Sequence, residues 1–162
     1  MVLYAKMTKP KGIAVAVDNT QFSIAIHILV GSARYMHVNN AQLAQSVNAN
    51  PIFIKRIVGK LVKSGLLVSS RGRNGGTSLA READAISLLD VYRAVKAPGL
   101  FAIHHYEKVA GCFISTNIQD VLTDVRADIQ CEVERKLSQL SVQDILDDIN
   151  VRKKQSKNGV TL

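Results

Sequence analysis

A mainly α-helical chain carrying one small β-hairpin is what this sequence predicts, and three observations carry that reading. Apolar residues recur at helical spacing over most of 20–149, two short strand-like runs bracket a Gly-rich tip at 66–79, and caps sit where the helical runs begin. With 162 residues, 47% of them hydrophobic, the chain is long enough for one domain with a buried core. No run approaches the ~18 apolar residues of a membrane span, and no basic-then-apolar leader opens the chain. Neither membrane insertion nor secretion is therefore expected, and the chain reads as cytoplasmic.

The first helix spans Thr20–Arg34. Phe22, Ala25, Ile26 and Leu29 form its stripe, and Ile24, Ile28 and Val30 widen it, so a broad arc is buried. His27 lies among these positions and reads as a satisfied core residue. Asn40 caps a short second helix that turns Leu43, Ala44 and Val47 inward. After the turn Asn48-Ala49-Asn50, Pro51 occupies a first helical position, where its missing N–H costs nothing, with Asn50 as the cap. The third helix runs to about Ser64. Phe53, Ile54, Ile57, Val58, Leu61 and Val62 make its core face, Lys55, Arg56, Gly59, Lys60 and Lys63 fill the remaining arc, and Gly65 closes it with a left-handed cap.

Leu66–Ser70 and Thr77–Leu79 form a hairpin whose tip, Arg71-Gly72-Arg73-Asn74-Gly75-Gly76, carries two arginines. Two short helices joined by a turn and followed by a basic hairpin make a winged helix-turn-helix. Ser87 and Asp90 have the spacing of a capping box for a short helix to about Lys96, which Pro98-Gly99 breaks. A loop through His104-His105 leads to Cys112. A long helix follows from Ser115 to Leu140, with the narrow seam Ile118, Leu122, Val125, Ile129, Val133, Leu137 and Leu140. That seam suits a partner helix, or core packing against the first helix. Ser141 and Asp144 cap a last helix ending near Ile149.

Charge divides the chain along the same lines. The formal net charge is +8, yet no acid lies between Asp18 and Glu82, where Arg34, Lys55, Arg56, Lys60, Lys63, Arg71, Arg73 and Arg81 accumulate. Residues 82–149 hold twelve acids against six bases. We divide the chain into an extension at 1–18, a winged helix-turn-helix DNA-binding region at 19–81, a dimerisation and sensing region at 82–149, and a basic, disordered tail at 150–162. Residues 1–18 read as an extra strand, an arm on a partner subunit, or an extension without a fold role.

A helix with a polar first turn and an outward basic arc fits the major groove of double-stranded DNA. Asn50, Pro51 and Ile52 open that face. Lys55 and Arg56 lie one turn in, where they reach base edges, and Lys60 and Lys63 lie further along, towards phosphates. Arg71, Arg73, Asn74 and Gly75 bring the wing onto the backbone or into the minor groove. The alternative is a solvated basic face. One such helix reads few base pairs, so pairing through Ile118, Leu122, Val125, Ile129 and Val133 into a homodimer supplies two half-sites.

Other classes find less support. There is no phosphate loop after a strand, no nucleophile elbow and no Cys-x-x-Cys, so an enzyme is not expected. Aromatic residues at 5% leave no stacking platform for RNA. A winged-helix protein-interaction module without sequence-specific DNA binding is the alternative reading, and steep weakening by salt separates DNA binding from it.

The runs Leu61-Val62-Lys63-Ser64-Gly65-Leu66-Leu67, Ser69-Ser70-Arg71-Gly72-Arg73-Asn74-Gly75-Gly76 and Ile86-Ser87-Leu88-Leu89-Asp90-Val91-Tyr92-Arg93-Ala94-Val95 resemble the Rrf2 family of bacterial winged-helix transcription regulators. The likeness covers about 20–149. It implies a homodimer with a long dimerisation helix, acting at a palindromic operator, and we read the chain as a repressor. The family's recognition helix maps onto Asn50–Leu61 and its wing onto Arg71–Gly76. The chain departs from the family in having Lys55-Arg56 where members often carry Glu-Gln, so no operator sequence is carried over. Cluster-binding members hold three close cysteines before the long helix. Here that loop has Cys112 alone, and Cys131 falls inside the helix, so no iron–sulfur cofactor and no other metal is expected. The resemblance then points to a cluster-free branch in which Cys112 is either a thiol sensor or a small apolar anchor for the loop.

Overall fold

The computed structural model describes residues 20–35, 37–70, 75–99 and 101–158, with side chains to 155. Its elements run α1 (Gln21–Arg34), α2 (Asn40–Val47), α3 (Pro51–Lys63), β1 (Leu67–Ser69), β2 (Thr77–Leu79), α4 (Leu88–Ala94), α5 (Phe113–Ser138) and α6 (Val142–Asn158), with a 3-10 turn at Ala83–Ala85. The expected mainly α fold with one two-stranded antiparallel hairpin is the observed one. The extension at 1–18, the wing-tip residues Arg71, Arg73 and Asn74, and the end of the tail lie outside the described residues.

The core collects α1, α2, α3 and α4 around fully buried Ile28, Leu29, Leu43, Ile54, Ile57 and Leu61. Burying each such side chain contributes about 1.5–3 kcal/mol before conformational entropy is charged against it. Thr20 makes no side-chain cap for α1, so α1 is held by this packing. His27 is corrected here: it is exposed, and its Nε2 lies 2.9 Å from Ser46 Oγ, linking α1 to α2 across the surface. The position that periodicity assigned to the core falls at the edge of the buried arc, which α2 covers incompletely.

Local signals set the helix ends with small shifts. Asn39, one residue before the expected Asn40, is the cap of α2 and forms a reciprocal capping box with Gln42. Asn50 Oδ1 accepts the Ile52 N–H at 2.8 Å to start α3, and Gly65 follows at φ 68°. The Ser87–Asp90 and Ser141–Asp144 pairs both close as expected. The two caps are stitched together, since Leu88 donates to the Leu140 carbonyl at 2.7 Å and Val142 to that of Ile86 at 2.9 Å. Helix α6 continues to Asn158, beyond the expected end near Ile149 and into the segment expected to be a disordered tail. No Pro or Gly interrupts 150–158; Arg, Lys and Gln are good helix formers, and the positive charge of Arg and Lys suits a helix C-terminus.

The hairpin is clamped to the α1–α2 turn. Thr77, almost wholly buried, exchanges backbone hydrogen bonds with Val38 and donates its hydroxyl to the Val38 carbonyl at 3.0 Å. A Cβ at Gly76 would lie 2.6 Å from the His37 carbonyl carbon and oxygen, so only glycine fits there.

Helix α5 stands apart. None of its residues is buried, and it leans on α4 through Arg93–Glu134 at 2.8 Å and Gln130 Nε2 donating to Tyr92 Oη at 3.3 Å. It begins at Phe113, two residues before the expected Ser115, because Cys112 Sγ serves as its cap by accepting the Ser115 N–H.

Candidate nucleic-acid interface

Helix α3 is two-faced by sequence and by packing. Ile54, Ile57 and Leu61 are fully buried, so rotation about the axis is fixed and the opposite arc is fixed with it. That arc carries exposed Pro51, Ile52, Lys55, Arg56, Gly59 and Lys63. Ile52 is 79% exposed at the first turn, an apolar side chain with no intramolecular reason to be there. Asn50 lies at the mouth of the same turn, its carbonyl oxygen committed to the cap and its amide N–H groups directed by that bond. The Arg56 guanidinium lies over the Phe53 ring, 4.9 Å from its centroid. Such stacking restricts a long flexible side chain, so less entropy is lost when it binds. A shallow depression of about 260 Å³ opens between Asn50, Ile52, Phe53 and Arg56.

Lys60 departs from its expected role. It is half-buried, and its Nζ donates to Gln21 Oε1 at 2.7 Å and to the Val95 carbonyl at 3.0 Å. It ties α3 to the start of α1 and to the carboxyl end of α4, where a cation complements the helix dipole. The sequence places Lys60 on the polar arc correctly, but α1 and α4 close over that edge of the arc. Lys55, Arg56 and Lys63 are left as the exposed cations of α3.

At the wing, Gly75 is half-exposed and the hairpin's last pairs are described. Ser70 donates to the Gly76 carbonyl at 3.0 Å, and Gly76 returns a bond to Ser70 Oγ at 3.3 Å. With Thr77 clamped to Val38, the wing base has a fixed direction relative to α2 and α3.

A second surface lies on α5. Of the expected seam, Val125 and Ile129 are 43% and 42% exposed, and Ile118, Leu122 and Val133 are half-buried. Ile114 and Val121 extend that side and escaped the seven-residue pattern; Phe113, the first residue of the helix and 83% exposed, lies on the opposite side by the 3.6-residue repeat. The alternative of core packing against α1 does not account for these exposures. Cys112 and Cys131 are both exposed. They sit nineteen residues apart on one helix, roughly 28 Å along its axis at 1.5 Å per residue, so one chain cannot bring them to a common metal. Among the described residues no group of three or more His, Cys, Asp or Glu could hold a metal ion. The donors present do not fit an iron centre within one chain.

No described helix is long and apolar enough to cross a membrane. A family model described as "Rrf2: Iron-dependent Transcriptional regulator" matches residues 18–148. The chain is 34% identical over 130 residues to YwnA of Bacillus subtilis (strain 168), named as an HTH-type transcriptional regulator, covering 80% of this chain and 96% of that one. A solved structure named as a transcriptional regulator from Lactobacillus plantarum matches with a TM-score of 0.68 at 27% identity, covering 85% of this chain and 98% of that one. Another, named as a DNA-binding protein, matches with a TM-score of 0.63 at 30% identity, covering 78% and 98%.

Proposed function

This chain belongs to the Rrf2 family of transcriptional regulators, and from that premise we propose that it is a cytoplasmic homodimeric repressor of palindromic operators. The family and its relatives are regulators of transcription, not enzymes. The observation that carries the DNA reading is the exposed arc of α3. It offers Ile52, Lys55, Arg56 and Lys63, with no acid from residue 19 to 81 to repel a phosphate. Arg56, stacked on Phe53, is suited to a bidentate pair with guanine, and Ile52 beside it to a thymine methyl. Lys63 and the wing arginines Arg71 and Arg73, with Asn74 and Gly75, contact phosphates and set register.

Dimerisation uses the apolar side of α5, with Ile118, Leu122, Val125, Ile129 and Val133 as the seam. Covering that side in a second copy removes apolar surface from water that the monomer leaves exposed. Cys112 is the thiol through which oxidants act. It is exposed and its Sγ caps α5, so oxidation by a peroxide to a sulfenic acid, with release of water, changes the capping group at the start of that helix.

Selection of bound duplexes from a random pool, with reduced and with oxidised protein, tests the reading. A two-fold symmetric motif is expected, with binding that weakens steeply in salt. No enrichment over the starting pool would overturn it. Cys112→Ser is expected to bind as the reduced protein does and to lose the oxidant response; a retained response removes Cys112 from the sensor role.

A further inference from the structure

Helix α5 has a second side, turned away from its exposed apolar residues, and beneath it lies a cavity of about 660 Å³. Tyr92, Pro98 and Phe101 form an apolar wall from α4 and the following turn, and Arg126, Ala127 and Gln130 of α5 form the other. Residues 123, 126, 127, 130 and 134 share one face by the 3.6-residue repeat, and 114, 121, 125 and 129 share another. A partner helix centred on Val125 and Ile129 reaches the cavity only at its edge, where Leu122 and Val133 of the seam adjoin Arg126 and Gln130, and leaves the face of 123, 127, 130 and 134 open.

Arg126 marks the chemistry of an occupant. Among the bases of 82–149, Arg93, Lys108 and Arg135 each have a carboxylate partner, and Lys96 and Lys136, which have none among the described residues, are exposed to water. Arg126 is half-buried and, among the described residues, makes no ion pair or hydrogen bond. A guanidinium partly withdrawn from water with no acceptor favours an anionic ligand. The one carboxylate on the rim, Glu134, is already matched: Gln130 and Arg93 hydrogen-bond to it and hold its carboxyl below the usual range.

Gln130 supplies an independent sign. Its amide N–H groups are used by Tyr92 Oη and Glu134 Oε1, which fixes the orientation of the amide. Its Oε1 is then buried with no donor, and a Cβ on Gly99 would lie 3.8 Å from it. A ligand that displaces the Pro98–Gly99 turn and offers an N–H or O–H meets an acceptor left unpaired in the empty protein.

The cavity is also joined to the reader helix. Tyr92 packs edge-on against Phe22 of α1, with ring centroids 5.5 Å apart, and donates to the Pro98 carbonyl at 2.8 Å. Val95, three residues before Pro98, accepts from Lys60 of α3.

We propose that this cavity is an effector site for a small organic carboxylate with an apolar body and a hydrogen-bond donor, whose occupancy moves the Pro98–Gly99 turn and, through Val95 and Lys60, α3. The binding step stands by itself; its effect on DNA rests on the operator reading above.

Salicylate, phenyllactate and 6-hydroxyhexanoate are titrated calorimetrically into the full-length, DNA-free protein, with hydrogen exchange to locate protection. At least one is expected to bind saturably, one per chain, protecting 92–102 and 123–130. Arg126→Gln, which removes a charge without an ion-pair partner among the described residues, is expected to weaken that binding about tenfold or more. The neutral analogue salicylamide is expected to bind more weakly than salicylate by a similar factor. Failure of all three carboxylates, equal affinity in Arg126→Gln, or protection confined to 113–121 overturns the site. With the bound carboxylate present, affinity for the selected duplex is expected to change in the wild type and not in Lys60→Met. An unchanged wild type overturns the regulatory half. Loss of all DNA selectivity with carboxylate binding intact overturns only the operator reading.

Discussion

Helices α3 and α5 are both amphipathic, and they solve the problem in opposite ways. Helix α3 buries Ile54, Ile57, Val58 and Leu61 inside its own chain, leaves the expected core residue Val62 exposed at the edge of the stripe, and presents cations on the open arc. Helix α5 buries nothing completely and leaves Ile114, Val121, Val125 and Ile129 open among carboxylates. The chemistry of what stays exposed distinguishes the two surfaces: a satisfied helix with a cationic face is ready for a polyanion, and an unsatisfied apolar face is ready for a matching apolar face. Under the proposed function, placing them on separate helices separates DNA contact from self-association, so the two contacts do not compete.

The largest effect should come from charging the open face of α5. Val125→Asp combined with Ile129→Asp is expected to raise the dimer dissociation constant at least about a hundredfold, since two carboxylates would be desolvated in the seam. Helix content by circular dichroism is expected to hold, because neither side chain is part of the buried core. A dimer that survives in sedimentation velocity moves the interface elsewhere.

Next in size is the reader. Arg56→Ala is expected to cost about 1–3 kcal/mol on the selected duplex and little on random duplex, measured by fluorescence anisotropy. Equal losses on both would make Arg56 a phosphate contact. A finer cut separates the two lysines on the polar arc. Lys63→Ala is expected to lower the slope of log affinity against log salt by about one unit. Lys60→Met is expected to leave that slope unchanged and to lower the melting temperature instead, because it removes the bonds to Gln21 and Val95.

The smallest effect concerns the turn that carries α5 back to the core. The backbone N–H of Ser141, and then its hydroxyl, hold the Asp144 carboxyl below the ordinary carboxylate range. A group whose folded pKa is depressed contributes stability above its unfolded pKa and loses it as pH falls through the folded value. Asp144→Asn is therefore expected to melt slightly earlier than the wild type at neutral pH, with the difference closing in acid. A gap that persists unchanged at low pH would assign the effect to packing.

Much of the fold was legible because its signals are local. Pro51 after Asn50, Gly65 after Ser64, and the Ser87–Asp90 and Ser141–Asp144 pairs each satisfy backbone groups within four residues, so their outcome does not depend on distant elements. The errors have a common origin in periodicity, which gives the direction of a side chain from its own helix and not what lies in that direction. His27 points where α2 covers incompletely, and Lys60 points where α1 and α4 arrive. Helix α6 outran its expected end because the absence of an apolar repeat after Ile149 was read as the end of the helix, when no residue there breaks one.

The sequence by itself determined the order of elements, the caps of α3, α4 and α6, the segregation of charge and the two amphipathic helices, because each depends on residue type and short spacing. Tertiary structure decided which lysines of α3 stay exposed, which side of α5 remains open, why position 76 must be glycine, and that Arg126 borders a cavity with no partner for its charge among the described residues. Those properties belong to contacts between elements far apart in the chain, where the neighbour's position, and not the residue's own preference, sets whether a group is buried, paired or exposed.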